Sequence, residues 1–222
     1  MKVNTLQKSG IILGVVLIAS ALWQYAYMNK GQYPLRNFPP KGAHIMAVGD
    51  SLTEGIGATS KQTSYIGILQ KRLNITIDNK GVSGATSMDV LRRLPRDILP
   101  AHPDIVILFI GSNDYLQQVP EQETFQNLRT IISRLQENGV LVVLIGARGG
   151  ALHDTFADDF AALAQQSGSA FVPKILDGIL GDPKFMTDQV HPNDAGYMKI
   201  ADKIAPTLEG IILSAPGAAH TE

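Results

Sequence analysis

Two uninterrupted apolar runs, Ile105 to Ile110 (IVILFI) and Val140 to Ile145 (VLVVLI), constrain this chain more than any other feature. Each has the length of a strand and no polar face, so each must be covered on both sides, as the inner strands of a parallel sheet are. Between them, Phe125, Leu128, Ile132 and Leu135 recur at helical spacing along Glu121 to Asn138, and Gly139 is suited to end that helix. Strand, crossover helix and parallel strand follow from this stretch alone.

The pattern continues in both directions. Upstream, His44 to Val48 reads as a buried strand, and Ser64 to Leu73 as a helix burying Ile66, Leu69 and Leu73. Ile75 to Asn79 reads as a second strand. A helix from about Thr86 to Leu99 would bury Val90, Leu91, Leu94 and Ile98, with a kink at Pro95. Downstream come a helix over Asp154 to Gln166, a short strand Ala170 to Val172 and a terminal helix from near Asn193. Strands alternating with helices predict an α/β fold, a three-layer αβα sandwich around a doubly wound, flavodoxin-like parallel sheet of about five strands.

The rest of the composition narrows the chemistry. A net charge of −1 with no basic cluster gives no footprint for nucleic acid. The absence of cysteine excludes disulfides, zinc–thiolate sites and a thiol nucleophile, leaving serine and histidine to carry nucleophilic chemistry.

Before the domain, the stretch between Lys8 and Lys30 is uncharged for about twenty residues, the length of a membrane-crossing helix. Lys2 and Lys8 precede it, and Trp23, Tyr25 and Tyr27 stand where an interfacial aromatic belt would lie. Residues 1–28 are therefore expected to be a hydrophobic helix that anchors the protein in the inner membrane, with the domain in the periplasm. The competing reading is a signal peptide cleaved after Ala19-Ser20-Ala21, which would release the domain. Retention is favoured because apolar and aromatic residues continue past Ala21 to Met28. Residues 29–42, with three prolines and two glycines, read as a linker, 43–214 as the domain and 215–222 as a tail.

Polar motifs fall just after strands. Gly49-Asp50-Ser51-Leu52 follows the first, Gly81-Val82-Ser83-Gly84 the second and Gly111-Ser112-Asn113-Asp114 the third. Right-handed crossovers bring all these strand ends to one edge, where open α/β sheets bind ligands. Farther on, Asp188 precedes His191 by three residues, close enough to orient the ring through its other nitrogen. Ser51, His191 and Asp188 are then a candidate nucleophile, base and orienter. Taken singly, Ser51 reads as an N-cap, Asn113 as a turn residue, Gly84 as a positive-φ residue and Asp188 as a surface acid.

Together the motifs resemble those of the SGNH (GDSL-type) hydrolases, over about His44 to Leu213. The resemblance implies that Ser51 is the nucleophile, that Asp188 and His191 complete the triad, and that the backbone N–H of Ser51, the backbone N–H of Gly84 and the Asn113 side chain form an oxyanion hole. It implies no cofactor and no metal. The lysophospholipase, thioesterase and arylesterase branch is most similar, through Asp50-Ser51-Leu52-Thr53 and the run from His191 to Tyr197. The expected substrates are therefore small-molecule or lipid esters and thioesters. The alternatives are an O-acetylesterase acting on envelope polysaccharide and a non-catalytic envelope-binding module. Asp50 and Asp114 are expected to be structural, Gly55 to Ser60 a flexible loop, and His44, His102 and His220 surface residues without partners. Arg148 and His153 read equally as substrate contacts or as a solvated loop. A metal set of Asp188, His191, His153 and Asp154 fixes no geometry.

Overall fold

The computed structural model describes residues 33–147 and 155–216. Leu35–Glu222 forms a compact unit built on five parallel strands. These are β1 (Ile45–Gly49), β2 (Ile77–Gly81), β3 (Ile105–Phe109), β4 (Leu141–Ile145) and β5 (Ala170–Val172), in the order β2-β1-β3-β4-β5. Every residue of β1, β3 and β4 is buried, which is why those segments tolerate no polar side chain. The chain steps from β1 outward to β2 and then back across β1 to β3. The crevice between β1 and β3 is thus the switch point at which ligands of such sheets bind.

Two helical layers cover the sheet. In one, α2 (Tyr65–Leu73) packs on α7 (Asp194–Ser214). In the other, α3 (Ser87–Arg93) packs on α5 (Glu121–Glu137), and α5 on α6 (Thr155–Ser167). Phe125, Leu128, Ile131, Ile132 and Leu135 are the apolar face of α5, and Phe125 meets Phe160 of α6 edge-on at 5.2 Å. On the opposite layer Tyr65 and Tyr197 stack at 6.5 Å, and Tyr65 lies 6.2 Å from Phe109 of β3.

Three local departures from the sequence-based reading have physical causes. The second strand begins at Ile77 rather than Ile75, because Asn74, in the left-handed region at φ 52°, ends α2 and Ile75 N–H still bonds back to Gln70 O. Its register comes from β1, with Ile45 opposite Ile77 and Gly49 opposite Gly81. The helix predicted to Leu99 stops as α-helix at Arg93 and continues as a π-type turn over Leu94–Ile98. Pro95 has no N–H for the regular ladder, so the turn widens there. Finally, the turns after β1 and β3 are one-turn helices, α1 (Ser51–Glu54) and α4 (Ser112–Leu116), too short to leave a periodicity.

The segment 1–28, with its cleavage motif, lies outside the described residues. Among the described residues no helix is long and apolar enough to cross a membrane. Part of the proline-rich stretch belongs to the unit: Arg36 N–H donates to Gly168 O at 2.8 Å, and the Asn37 amide donates to Gln136 O and Val140 O at 2.9 Å each.

Candidate active site

The site grows from the end of β1. A Cβ at Gly49 would collide with the Thr53 hydroxyl and with Phe109 O, so glycine is required where the chain leaves the sheet. Asp50 caps α1, its Oδ1 accepting the Leu52 N–H at 3.0 Å, and Gly55 closes the helix at φ 100°. Ser51 is therefore the first residue of a helix, where backbone N–H groups have no intrahelical acceptor. Two buried tyrosines of the same layer brace the segment. Tyr65 Oη lies 3.1 Å from Thr53 Oγ1, and Tyr197 Oη–H donates to Ile56 O at 2.6 Å.

His191 meets Ser51 across 140 residues of sequence, with its Nε2 at 3.1 Å from Ser51 Oγ. Its Nδ1 is 2.8 Å from Asp188 Oδ2. The other carboxylate oxygen, Oδ1, accepts the backbone N–H groups of Val190 and His191, each at 2.8 Å. The hydrogen bond from the imidazole, and then those two N–H groups, hold the Asp188 carboxyl down at about 2. An anionic acceptor at Nδ1 keeps the proton there, which leaves Nε2 to accept from the Ser51 hydroxyl. The structure thus brings together the three residues that the sequence singled out.

The stretch from Gly55 to Ser60 is a loop, as expected, and it is tied down by long-range hydrogen bonds. It is a strut that fixes the histidine segment. Thr59 donates to Asp194 through N–H at 2.8 Å and Oγ1–H at 2.6 Å, and Thr187 Oγ1–H donates to Gly57 O at 2.9 Å. A Cβ at Gly57, which has φ 93°, would overlap Pro192 O and crowd His191. These partners lie about 130 residues away in sequence, so the local composition had no means of indicating them.

Gly84 and Asn113 stand on the flanking strand ends. Gly84 has φ 76° and no atom within 4 Å of where a Cβ would be, so backbone conformation rather than space demands glycine. Asn113 donates one amide hydrogen to Ala85 O at 3.0 Å, which orients the side chain and leaves its second N–H for a ligand. Asp114 is fully buried and ties α4 to α3, accepting the Ser87 N–H at 2.8 Å and the Ser87 hydroxyl at 2.5 Å. Asp50 is 1% exposed and its Oδ2 has no partner among the described residues. Burial, opposed by the backbone N–H groups, pushes its carboxyl up to about 6. Both aspartates are bound into turns, as expected.

Sequence reasoning missed two features of this edge. Val82, Tyr115, Leu116 and Val190, neighbours in sequence of Gly84, Asn113 and His191, are exposed large apolar side chains. Glu54, at the end of α1, bonds Ser83 beside Gly84. Away from the site, His44 does have a partner, Asp78 Oδ2 at 3.1 Å. Arg148, His153, Asp154 and His220 lie outside the described residues. Among the described residues no group of three or more His, Asp and Glu side chains is placed to hold a metal.

A flavodoxin-like sheet with a serine at the β1 switch point, hydrogen-bonded to a histidine–aspartate pair, defines the serine-hydrolase class. The chain belongs to the GDSL-like lipase/acylhydrolase family, whose model matches residues 47–199. It is similar to esterase TesA of Pseudomonas aeruginosa, 29% identical over 179 residues that span 76% of this chain and 89% of that protein. It is also similar to the thioesterase 1/protease 1/lysophospholipase L1 of Escherichia coli K12, at 26% identity over 76% of this chain and 84% of the relative. A crystal structure of TesA superposes with a TM-score of 0.70 at 28% identity, covering 75% of this chain and 98% of that one.

Proposed function

We propose that the protein is an exported serine esterase that hydrolyses acyl esters or thioesters of apolar carboxylic acids, with Ser51 as nucleophile, His191 as general base and Asp188 as its orienting partner. The observation that carries this reading is the continuous hydrogen-bonded line from Ser51 Oγ through the His191 ring to Asp188, at 3.1 and 2.8 Å, in the β1/β3 crevice. Ser51 Oγ attacks the acyl carbon while Nε2 takes its proton, and the carbonyl π pair moves onto oxygen. The Ser51 and Gly84 backbone N–H groups and the free N–H of Asn113 receive that oxyanion, and donors aimed at developing charge supply much of the rate. The imidazolium, stabilised by Asp188, then protonates the departing alcohol or thiol as the carbonyl re-forms. A water activated by the same ring releases the acid and frees Ser51.

Support for an apolar acyl group comes from the exposed apolar side chains of Val82, Tyr115, Leu116 and Val190, each within three residues of Gly84, Asn113 or His191 in sequence. The names of the relatives, an esterase and a thioesterase/lysophospholipase, point the same way. Support for export and for a membrane anchor comes from the uncharged segment between Lys8 and Lys30, which would place the domain within reach of lipid.

The test is Ser51→Ala, assayed on a series of p-nitrophenyl esters of rising acyl length, on acyl thioesters and on acetylated glycans. The variant should keep its thermal midpoint within a few degrees and lose about 10³-fold or more in kcat. Wild-type turnover in the variant rejects the mechanism, and a wild-type enzyme that turns over acetylated glycans alone replaces the acyl-ester reading with a deacetylase.

A further inference from the structure

Ser51 begins α1, and Glu54 ends it. The single turn is closed by Glu54 N–H to Asp50 O at 2.9 Å and Gly55 N–H to Ser51 O at 3.0 Å, so the two residues move as one body. From that body the Glu54 carboxylate reaches the loop after β2. One oxygen, Oε2, accepts both the Ser83 N–H at 2.8 Å and the Ser83 hydroxyl at 2.5 Å. Ser83 is the residue before Gly84.

Among the described residues little else holds the crest of this loop. Val82, Ser83 and Gly84 are exposed, and nothing packs where a Gly84 side chain would be. The base is fixed by Val82 N–H to Gly49 O and Ala85 N–H to Val82 O, both at 3.1 Å. On the far side Asn113 holds Ala85 O at 3.0 Å, and Gln117 reaches Gly84 O only at 3.4 Å. A glycine at positive φ on an exposed crest has a wide range of backbone angles open to it. Two bonds converging on one carboxylate oxygen remove most of that range.

We propose that Glu54 is a positioning residue that, through Ser83, sets the direction of the Gly84 N–H relative to Ser51; this rests on the oxyanion role given to Gly84 above. Nucleophile and oxyanion donor are thereby referenced to the same helical turn. A displacement of about 1 Å in a catalytic constellation is enough to lower a rate by as much as about 10²-fold.

The full-length protein is assayed on a p-nitrophenyl ester as Glu54→Ala, Glu54→Gln, Ser83→Ala and Ser51→Ala. Glu54→Ala should lower kcat by about 10- to 100-fold and leave KM within about threefold. Glutamine keeps an oxygen that accepts both Ser83 donors, so Glu54→Gln should return to within about threefold of wild type. Inactivation by a p-nitrophenyl alkylphosphonate, whose phosphoryl oxygen takes the oxyanion position, should slow in Glu54→Ala by the same factor as kcat. A merely structural glutamate would shift the thermal midpoint and leave these ratios alone. Wild-type kcat in folded Glu54→Ala, or a Gln variant as slow as the Ala variant, overturns the proposal. If Glu54→Ala does not fold, Ser83→Ala decides: a kcat loss of about fivefold or more at constant KM supports the clamp, and wild-type kcat refutes it. An active Ser51→Ala would instead discard the underlying mechanism.

Discussion

Asp50 offers a quantitative test of the electrostatics beneath the site. Asp50 is 1% exposed, and among the described residues only its Oδ1 has a partner, the Leu52 N–H at 3.0 Å. Desolvation, opposed by the backbone N–H groups, raises it from 3.8 to about 6. In the unfolded chain the group loses its proton near 3.8; in the folded protein it holds it to about 6. Between those values the native state binds more protons than the unfolded state, so this group makes stability fall as pH rises through the window. At about 1.4 kcal/mol per pH unit of separation, the loss has a ceiling of about 3 kcal/mol, fully developed above pH 6. Asp50→Asn keeps an oxygen for the Leu52 N–H and never ionises. Urea unfolding of both proteins at pH 4 and pH 7.5 measures the difference. The variant should match wild type closely at pH 4 and gain about 2–3 kcal/mol relative to it at pH 7.5. Asp188, Asp89 and Asp194 have lowered pKa values and contribute the opposite slope, with stability lost as pH falls. They are common to both proteins and cancel in the difference. A variant whose offset from wild type is the same at both pH values would refute the reasoning.

Asn113→Ala removes a donor used chiefly in the transition state, so kcat should fall by about 10²- to 10³-fold with KM little changed; steady-state kinetics reads the split, and a pure KM effect would reassign Asn113 to substrate binding. Asp188→Asn removes the anion that sets the imidazole tautomer and should lower kcat by about 10²- to 10⁴-fold. Because the carboxyl is held at about 2, no loss of activity at mildly acid pH should trace to Asp188 itself, which a pH–rate profile compared with the Asn variant will check. Gly57→Ala combines positive-φ strain of about 1–2 kcal/mol with an overlap at Pro192 O. It should lower the thermal midpoint by about 2–8 °C and reduce kcat by displacing His191.

The fold and the four motif positions were legible for one physical reason: each is written in consecutive residues. A strand covered on both faces must be apolar throughout, which exposed β3 and β4 as IVILFI and VLVVLI. A glycine-rich turn after such a strand marks the sheet edge that binds ligands, and a carboxylate three residues before a histidine is a pair even in one dimension. The edge strand β2 was displaced by two residues because its residues alternate weakly and only pairing with β1 sets their register. The helices α1 and α4, at four and five residues, are shorter than any periodicity can reveal.

What the sequence determined by itself is the class of sheet, the order of its elements and the set of residue types available for chemistry, because burial and local backbone preference act on neighbours along the chain. What only the tertiary structure decided is which of those residues meet. Strand order β2-β1-β3-β4-β5 sets Ser51 between Gly84 and Asn113, and the segment between β5 and α7 brings His191 to it. The contacts that fix the geometry, Glu54 with Ser83, Thr59 with Asp194 and Thr187 with the Gly57 carbonyl, join side chains and backbone of ordinary composition near the surface. Nothing in such side chains names a partner until folding has brought it within hydrogen-bonding distance, since a hydrogen bond is specified by position and direction, and a sequence holds neither.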